Sequence, residues 1–208
     1  EQYFRKQMEL LTSAGFDALG IGSMEEPGFL REAGIELPMY FDQGMYSWNH
    51  LAGAAMERYG ADRLTIPVEL NEREIRDSGV QGEMIVYGYL PMMISAQCIR
   101  KTTLGCSGKS EIMWLKDRKD MRFPVVNQCR FCYNTIYNSA PLSLLGLSGQ
   151  VAGLKPVAFR LNFTAEEPDA VGEILDAFFE EYEMGEKAAE PAVLKNQFTR
   201  GHFKRGVE

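Results

Sequence analysis

The 208-residue chain has four cysteines, and all of them fall between Cys98 and Cys132. Cys98 and Cys106 are separated by seven residues, Cys129 and Cys132 by two. Between the pairs, EIMWLKDRKDMRFPV (111–125) sets two apolar stretches around the polar KDRKD, the pattern of a β-hairpin. A hairpin returns its two ends to one place, so this spacing gathers four thiols without help from the rest of the fold. Four convergent thiolates suit Zn²⁺, which they close tetrahedrally, or an iron–sulfur cluster such as [4Fe–4S]. The seven-residue gap is long for a zinc knuckle and ordinary for a cluster. Two other readings compete with a metal. Cys129 and Cys132 would form a redox dithiol, but no helix obviously follows to lower a thiol pKa. Four buried, unliganded thiols would pack as small hydrophobes, which their polar, basic segment disfavours.

That segment is an island of opposite charge. The net charge is −7, which argues against a protein that coats nucleic acid nonspecifically. Yet from Cys98 to Cys132 eight basic residues (Arg100, Lys101, Lys109, Lys116, Arg118, Lys119, Arg122, Arg130) face only Glu111, Asp117 and Asp120. Arg100 and Lys101 sit inside the first cysteine loop, where they would meet an anionic substrate; the plainer reading is a solvated loop.

The elements that must position these residues read as α/β. Met8 and Leu11 stand at helical spacing in residues 2–14, and further helices are expected at 25–34, 46–59, 71–79, 141–153 and 168–182. Strands are expected at 17–22, 37–43, 61–70, 83–91, 135–140 and 156–163. Asn71 with Glu74 forms a capping-box pattern. Strand and helix alternating at this pitch predict a parallel sheet. About six strands fall short of the eight that close a barrel, so the expected fold is a partial (β/α) TIM-barrel-like parallel sheet with a cysteine-bearing hairpin insert. The chain opens on Glu1 directly into helix-like sequence and reads as a piece of a longer polypeptide. Residues 1–208 are therefore expected to form one partial barrel domain, with 98–132 as the insert and 184–208 as a docked or trailing tail.

In a β/α barrel the active site forms at the C-terminal strand ends. Asp42, Glu69, Tyr87, Asn138 and Asn162 all fall at or just past such ends. Arg160, within VAFRLN, either points into the barrel mouth or pairs with an acidic neighbour. Polar residues at strand ends are also what any loop provides, so position alone does not separate the two readings.

The run DQGMYSWNH, TIPVEL, YGYLPMMISAQCIRKTTLGC and KDRKDMRFPVVNQCRFCYNTIYNSAPL resembles the collagenase-like peptidase family U32, as does the closing FTRGHFKRGVE. The resemblance implies a β/α-barrel-like domain and two competing activities. One is proteolysis, including collagen degradation, with no agreed catalytic residues. The other is oxygen-independent hydroxylation of RNA bases or a quinone precursor by relatives carrying a four-cysteine [4Fe–4S] cluster, some with prephenate as oxygen source. By position, Cys98 and Cys106 match the second and third family cysteines and Cys129 or Cys132 the fourth. The first falls at Pro91, leaving the other member of the 129/132 pair to replace it. The family's usual histidine is Tyr87 here, while Glu69 and Asn49 match positions where the family places polar site residues.

Asp42, Asn49, Glu69 and Tyr87 are thus the catalytic candidates, and Arg100, Lys101 and Arg160 the substrate-binding ones. Hydroxylation accounts for more of the pattern than hydrolysis. Only His50 and His202 are present, neither in a metalloprotease motif, and no serine occupies a nucleophile elbow. A third reading is a zinc-stapled structural half-barrel without activity of its own. The expected partners are the remainder of the parent polypeptide, RNA or a small anion such as prephenate, and a second copy as a homodimer covering the open sheet edge. No apolar run reaches bilayer length and no leader is apparent, so the expected setting is cytoplasmic, with reduced or metal-bound thiols.

Overall fold

Local signals set most of the helix boundaries in the computed structural model, which describes residues 2–195 and 197–206. The helices are α1 (Gln2–Ser13), α2 (Glu26–Glu32), α3 (His50–Tyr59), α4 (Glu72–Ser78), α5 (Ile99–Thr103), α6 (Ser148–Gly153) and α7 (Pro168–Phe178). The strands are β1 (Leu19–Ile21), β2 (Met39–Phe41), β3 (Arg63–Leu64), β4 (Glu83–Gly88) and β5 (Pro91–Ser95). They continue with β6 (Ile112–Lys116), β7 (Arg122–Gln128), β8 (Tyr133–Tyr137), β9 (Leu142–Ser143) and β10 (Ala158–Asn162). The capping box at α4 is present: Asn71 accepts from Glu74 N, and Glu74 accepts in return from Asn71 N. Among the described residues, no helix is long and apolar enough to cross a membrane.

The chain divides into two units. The first runs to Ile85 and adds Gly149–Arg160 and the residues from Gly201 on. Its parallel sheet orders β1, β2 and β3, with Leu19 opposite Met39 and Phe41 opposite Leu64. A parallel bridge from Thr65 to Glu83 carries the same direction on to β4. Ile21, Leu30, Phe41, Met45, Leu64 and Val80 form the core, and Met8 of α1 packs against it. The sheet is mixed α/β architecture in the expected sense, but no closed barrel forms among the described residues. The strand expected over 61–70 is cut to two residues, because Pro67 has no N–H to extend a ladder.

The second unit comprises Val86–Ser148 and Leu161–Arg200. Its four-stranded antiparallel sheet orders β5, β8, β7 and β6. The hairpin is there as β6 and β7, with Trp114 opposite Pro124 and Lys116 opposite Arg122. The strand expected at 135–140 is β8, and it belongs to this sheet rather than to a parallel one. The reason is length: residues 129–132 alone connect β7 to β8, and a parallel crossover needs a dozen or more. The single strand expected over 83–91 splits into β4 and β5 at Gly88, whose φ of +144° suits glycine. A Cβ there would stand 2.4 Å from the Asn162 carbonyl oxygen.

The helix expected over 141–153 forms only as α6, from Ser148. Residues before it are drawn into β9, where Tyr87 pairs with Ser143, and Ser143 N donates to Thr199 O. The tail is docked rather than trailing: Leu194 and Phe203 are buried, and Glu72 N donates to Phe203 O. Asn196 and the last two residues of that tail lie outside the described ones.

Candidate cofactor centre

Two cysteines precede the hairpin and two follow it, and buried asparagines hold both loops to the sheet. Asn127 on β7 and Asn134 on β8 face each other across the ladder, 1% and 0% exposed. Asn134 Nδ2 donates to Gln97 O at 2.6 Å and to Ser95 O at 3.4 Å, fixing the chain immediately before Cys98. Asn127 Oδ1 accepts from Glu111 N at 2.5 Å and its Nδ2 donates to Lys109 O, fixing the chain after Cys106. Cys129 N donates to Ser110 Oγ at 3.2 Å, which ties the second pair to the first loop. Asn127 bonds through both amide atoms, whereas Asn134 bonds through Nδ2 alone and its Oδ1 is buried without a partner among the described residues. The bonds that are made favour one loop geometry, because losing them would leave further desolvated polar groups.

The first loop is not irregular throughout, since Ile99–Thr103 form a short helix with Cys98 at its head. The second pair sits in a tight turn: Phe131 N donates to Gln128 O, Cys132 has a left-handed φ of +55°, and its thiol reaches the Cys129 carbonyl at 3.7 Å. Cys98 and Cys129 are half-buried, Cys106 and Cys132 exposed.

The thiols act on one another. Desolvation pushes the Cys129 thiol above its usual range, and the neighbouring thiols add to this, Cys106 through its charge and a hydrogen bond, then Cys132 and Cys98. Among the described residues, no three Cys, His, Asp or Glu side chains already form a closed metal cage. The two observations are compatible: the thiols lie within electrostatic reach of Cys129 but are not drawn in to ligand distance. A donor set of four thiols and no carboxylate fits a soft, thiophilic group.

Around the thiols, the two basic candidates have different surroundings. Arg100 Nε is ion-paired with Glu111 Oε1 at 2.9 Å, and Ser107 Oγ donates to the same oxygen. Arg100 therefore braces the loop. Lys101 lines an open pocket of about 590 Å³ with Gln97, Cys98, Thr102 and Cys132.

The remaining sequence candidates stand elsewhere. In the first unit, Arg160 is ion-paired to Asp42 at 2.5 Å and to Glu83, and donates to Thr65 Oγ1 at 3.0 Å. Asp42 and Arg160 are thus partners of each other. Asn49 caps α3, its Oδ1 accepting from Leu51 N and Ala52 N at 3.0 Å each. Glu69 lies in the turn after β3, with Oε2 buried and unpartnered among the described residues. In the second unit, Tyr87 is 1% exposed with its ring 5.5 Å from that of Phe163. Burial and then the Glu166 carboxylate hold its phenol well above the usual range. Pro91, where the resemblance places a first cysteine, heads β5 at the end opposite Ser95, about 13 Å away at the usual strand rise.

Asn127, Asn134 and Glu83 were not signalled as site residues by type or spacing. The one available hint was a polar, low-propensity asparagine set into an otherwise β-forming run.

The chain has no significant match among curated proteins or among solved structures. The model of one protein family does match, over residues 2–167, including all four cysteines and the asparagines that hold them. The chain belongs to peptidase family U32.

Proposed function

We propose that Cys98, Cys106, Cys129 and Cys132 together hold one four-thiolate cofactor, a [4Fe–4S] cluster, and that the protein hydroxylates an anionic substrate with an organic co-substrate such as prephenate, in place of molecular oxygen, as source of the oxygen atom and acceptor of the two electrons. The observation that carries this is the convergence of the two cysteine loops, which Asn127, Asn134 and the bond from Cys129 N to Ser110 Oγ hold together. Neighbouring thiols add to the desolvation that disfavours ionisation of Cys129, and binding a cationic thiophilic group would reverse that. When bound, such a cluster supplies electron transfer. Lys101, in the pocket beside Cys98 and Cys132, supplies the positive charge for the substrate, an RNA base with its phosphate or a small acid such as prephenate. Arg100 keeps the loop in place through Glu111.

The parallel run from β1 to β4 supports reading the first unit as part of a TIM-like β/α wall, completed by the remainder of a longer polypeptide or by a second copy. A cytoplasmic setting, in which the thiols stay reduced or metal-bound, belongs to this reading. Proteolysis, the activity in the family's name, would need a nucleophile with its base. His202 is already bonded through Nδ1 to Gly206 O at 2.8 Å. Zinc is the second reading of the cofactor, favoured by the tight Cys129–Cys132 turn, and would make the centre structural.

Metal and acid-labile sulfide analysis of protein purified without oxygen tests the proposal. About four iron and four sulfide per chain, with broad visible absorption, is the expected result. One zinc in a colourless protein supports the second reading, and absence of both metals overturns the two together.

A further inference from the structure

A second concavity in the same unit has no role in holding the thiols. It is a cleft of about 550 Å³ beside the β6–β7 turn, lined by Tyr89, Trp114, Asp120, Met121, Arg122 and Phe198 among others. That volume lies in the ordinary range for small-ligand sites. Three of the six are aromatic. Trp114 is 50% exposed and sits opposite Pro124 in the ladder. Arg200 covers the Phe198 ring at 4.5 Å while donating to Ser143 O and Leu145 O.

The rim is basic. Lys116, Arg118, Lys119 and Arg122 face only two acids over the turn, and both acids are engaged. Asp117 accepts from Lys119 N at 2.7 Å and Met121 N at 2.9 Å, and Asp120 pairs with Lys116 at 2.6 Å. Arg118, Lys119 and Arg122 have no acidic side-chain partner among the described residues. Apolar side chains alone would fit a peptide. Arg122 in the lining and Arg118 and Lys119 in the adjoining turn, which keeps a net positive charge over 116–122, fit a chain of phosphates carrying planar bases beside the aromatic rings.

We infer that this cleft docks an unpaired nucleotide of a single-stranded nucleic acid, stacked on Trp114 with its phosphate on Arg122 and the flanking phosphates along Arg118 and Lys119. The inference rests on the proposed function only for the anionic class of the substrate. It deepens that reading by separating the docking element from the thiol centre.

The test uses the full chain carrying Trp48→Phe, which leaves Trp114 as its one tryptophan. Oligouridylate and oligothymidylate are titrated while Trp114 emission and the anisotropy of labelled oligonucleotide are read, with metal content measured on the same samples. Expected are quenching of Trp114 and binding that weakens several-fold from low to physiological salt. Affinity falls about tenfold in Trp114→Ala and several-fold in Arg122→Gln, a change confined to an exposed side chain. Absence of binding, or binding unchanged by both variants, overturns the inference. Quenching that persists in metal-free protein upholds docking whatever becomes of the cofactor.

Discussion

The chain gathers polar side chains in two places, and they are gathered in opposite ways. In the first unit Arg160 lies between Asp42, Glu83 and Thr65, and every charge meets its complement. In the second, four thiols stand near one another, and desolvation followed by the neighbouring thiols pushes the half-buried Cys129 thiol above its usual range. A knot of complementary charges is complete as folded and needs nothing further. A set of like donors is held together by its surroundings, here by Asn127 and Asn134, and is completed only by a cation. The sequence candidates Asp42 and Arg160 are thereby each other's partners, and the cysteines are the place where the proposed function puts its cofactor.

The comparison breaks down if the two places respond alike to substitution. Cys129→Ser should give the largest effect, abolishing stoichiometric iron or zinc while leaving the thermal transition of the metal-free protein nearly unchanged; metal analysis and calorimetry on one preparation check both halves. Arg160→Met should do the reverse. It leaves Asp42 without its cation and Glu83 with Arg63 alone, at 4.0 Å, and costs about 2 kcal/mol, the usual penalty for breaking a buried pair reduced for partial exposure. Its metal content should equal that of the parent, and urea unfolding measures the cost.

Asn134→Ala sharpens the contrast, because it removes the bonds to Ser95 O and Gln97 O without touching a thiol. About 1.5 kcal/mol of stability should go, together with much of the metal affinity, which competition with a chelator would read.

The smallest effect is in pH. A thiol pKa raised by folding means that the metal-free fold binds that proton more tightly than the unfolded chain. Stability is therefore level below the ordinary thiol range and falls as pH rises through it. Alkylation of Cys129 should accordingly need higher pH than a free thiol, and Cys106→Ser, which removes the leading neighbour, should bring the rate profile back down. An unchanged profile would show that the thiols do not act on each other.

Much of the second unit's hairpin was legible because its signals are local: alternating apolar residues around KDRKD, and two cysteine pairs at its ends. The α4 capping box was legible for the same reason. What escaped depends on partners far along the chain. Arg160 and Asp42 are 118 residues apart, so only folding shows that they meet. Residues 141–147 carry helix-like apolar content, but Leu142 and Ser143 are drawn into strand pairing by Tyr87 and Thr199. β5 was hidden by its exposure, since Met92, Met93 and Ile94 lie open just past the strand expected over 83–91. The roles of Asn127 and Asn134 were hidden because neither type nor spacing distinguishes a buried clamp from a loop asparagine.

β5 also bears on how the protein behaves at high concentration. It is the outer strand of its sheet, short, and irregular in register between Pro91 and Met93. Proline offers no donor and a bulge twists the strand away, so its backbone makes a poor template for another chain. Its methionines and isoleucine nonetheless remain open to solvent. Self-association at this edge would therefore be driven by side chains: it would strengthen with sulfate, weaken on methionine oxidation, and yield amorphous clusters rather than fibrils.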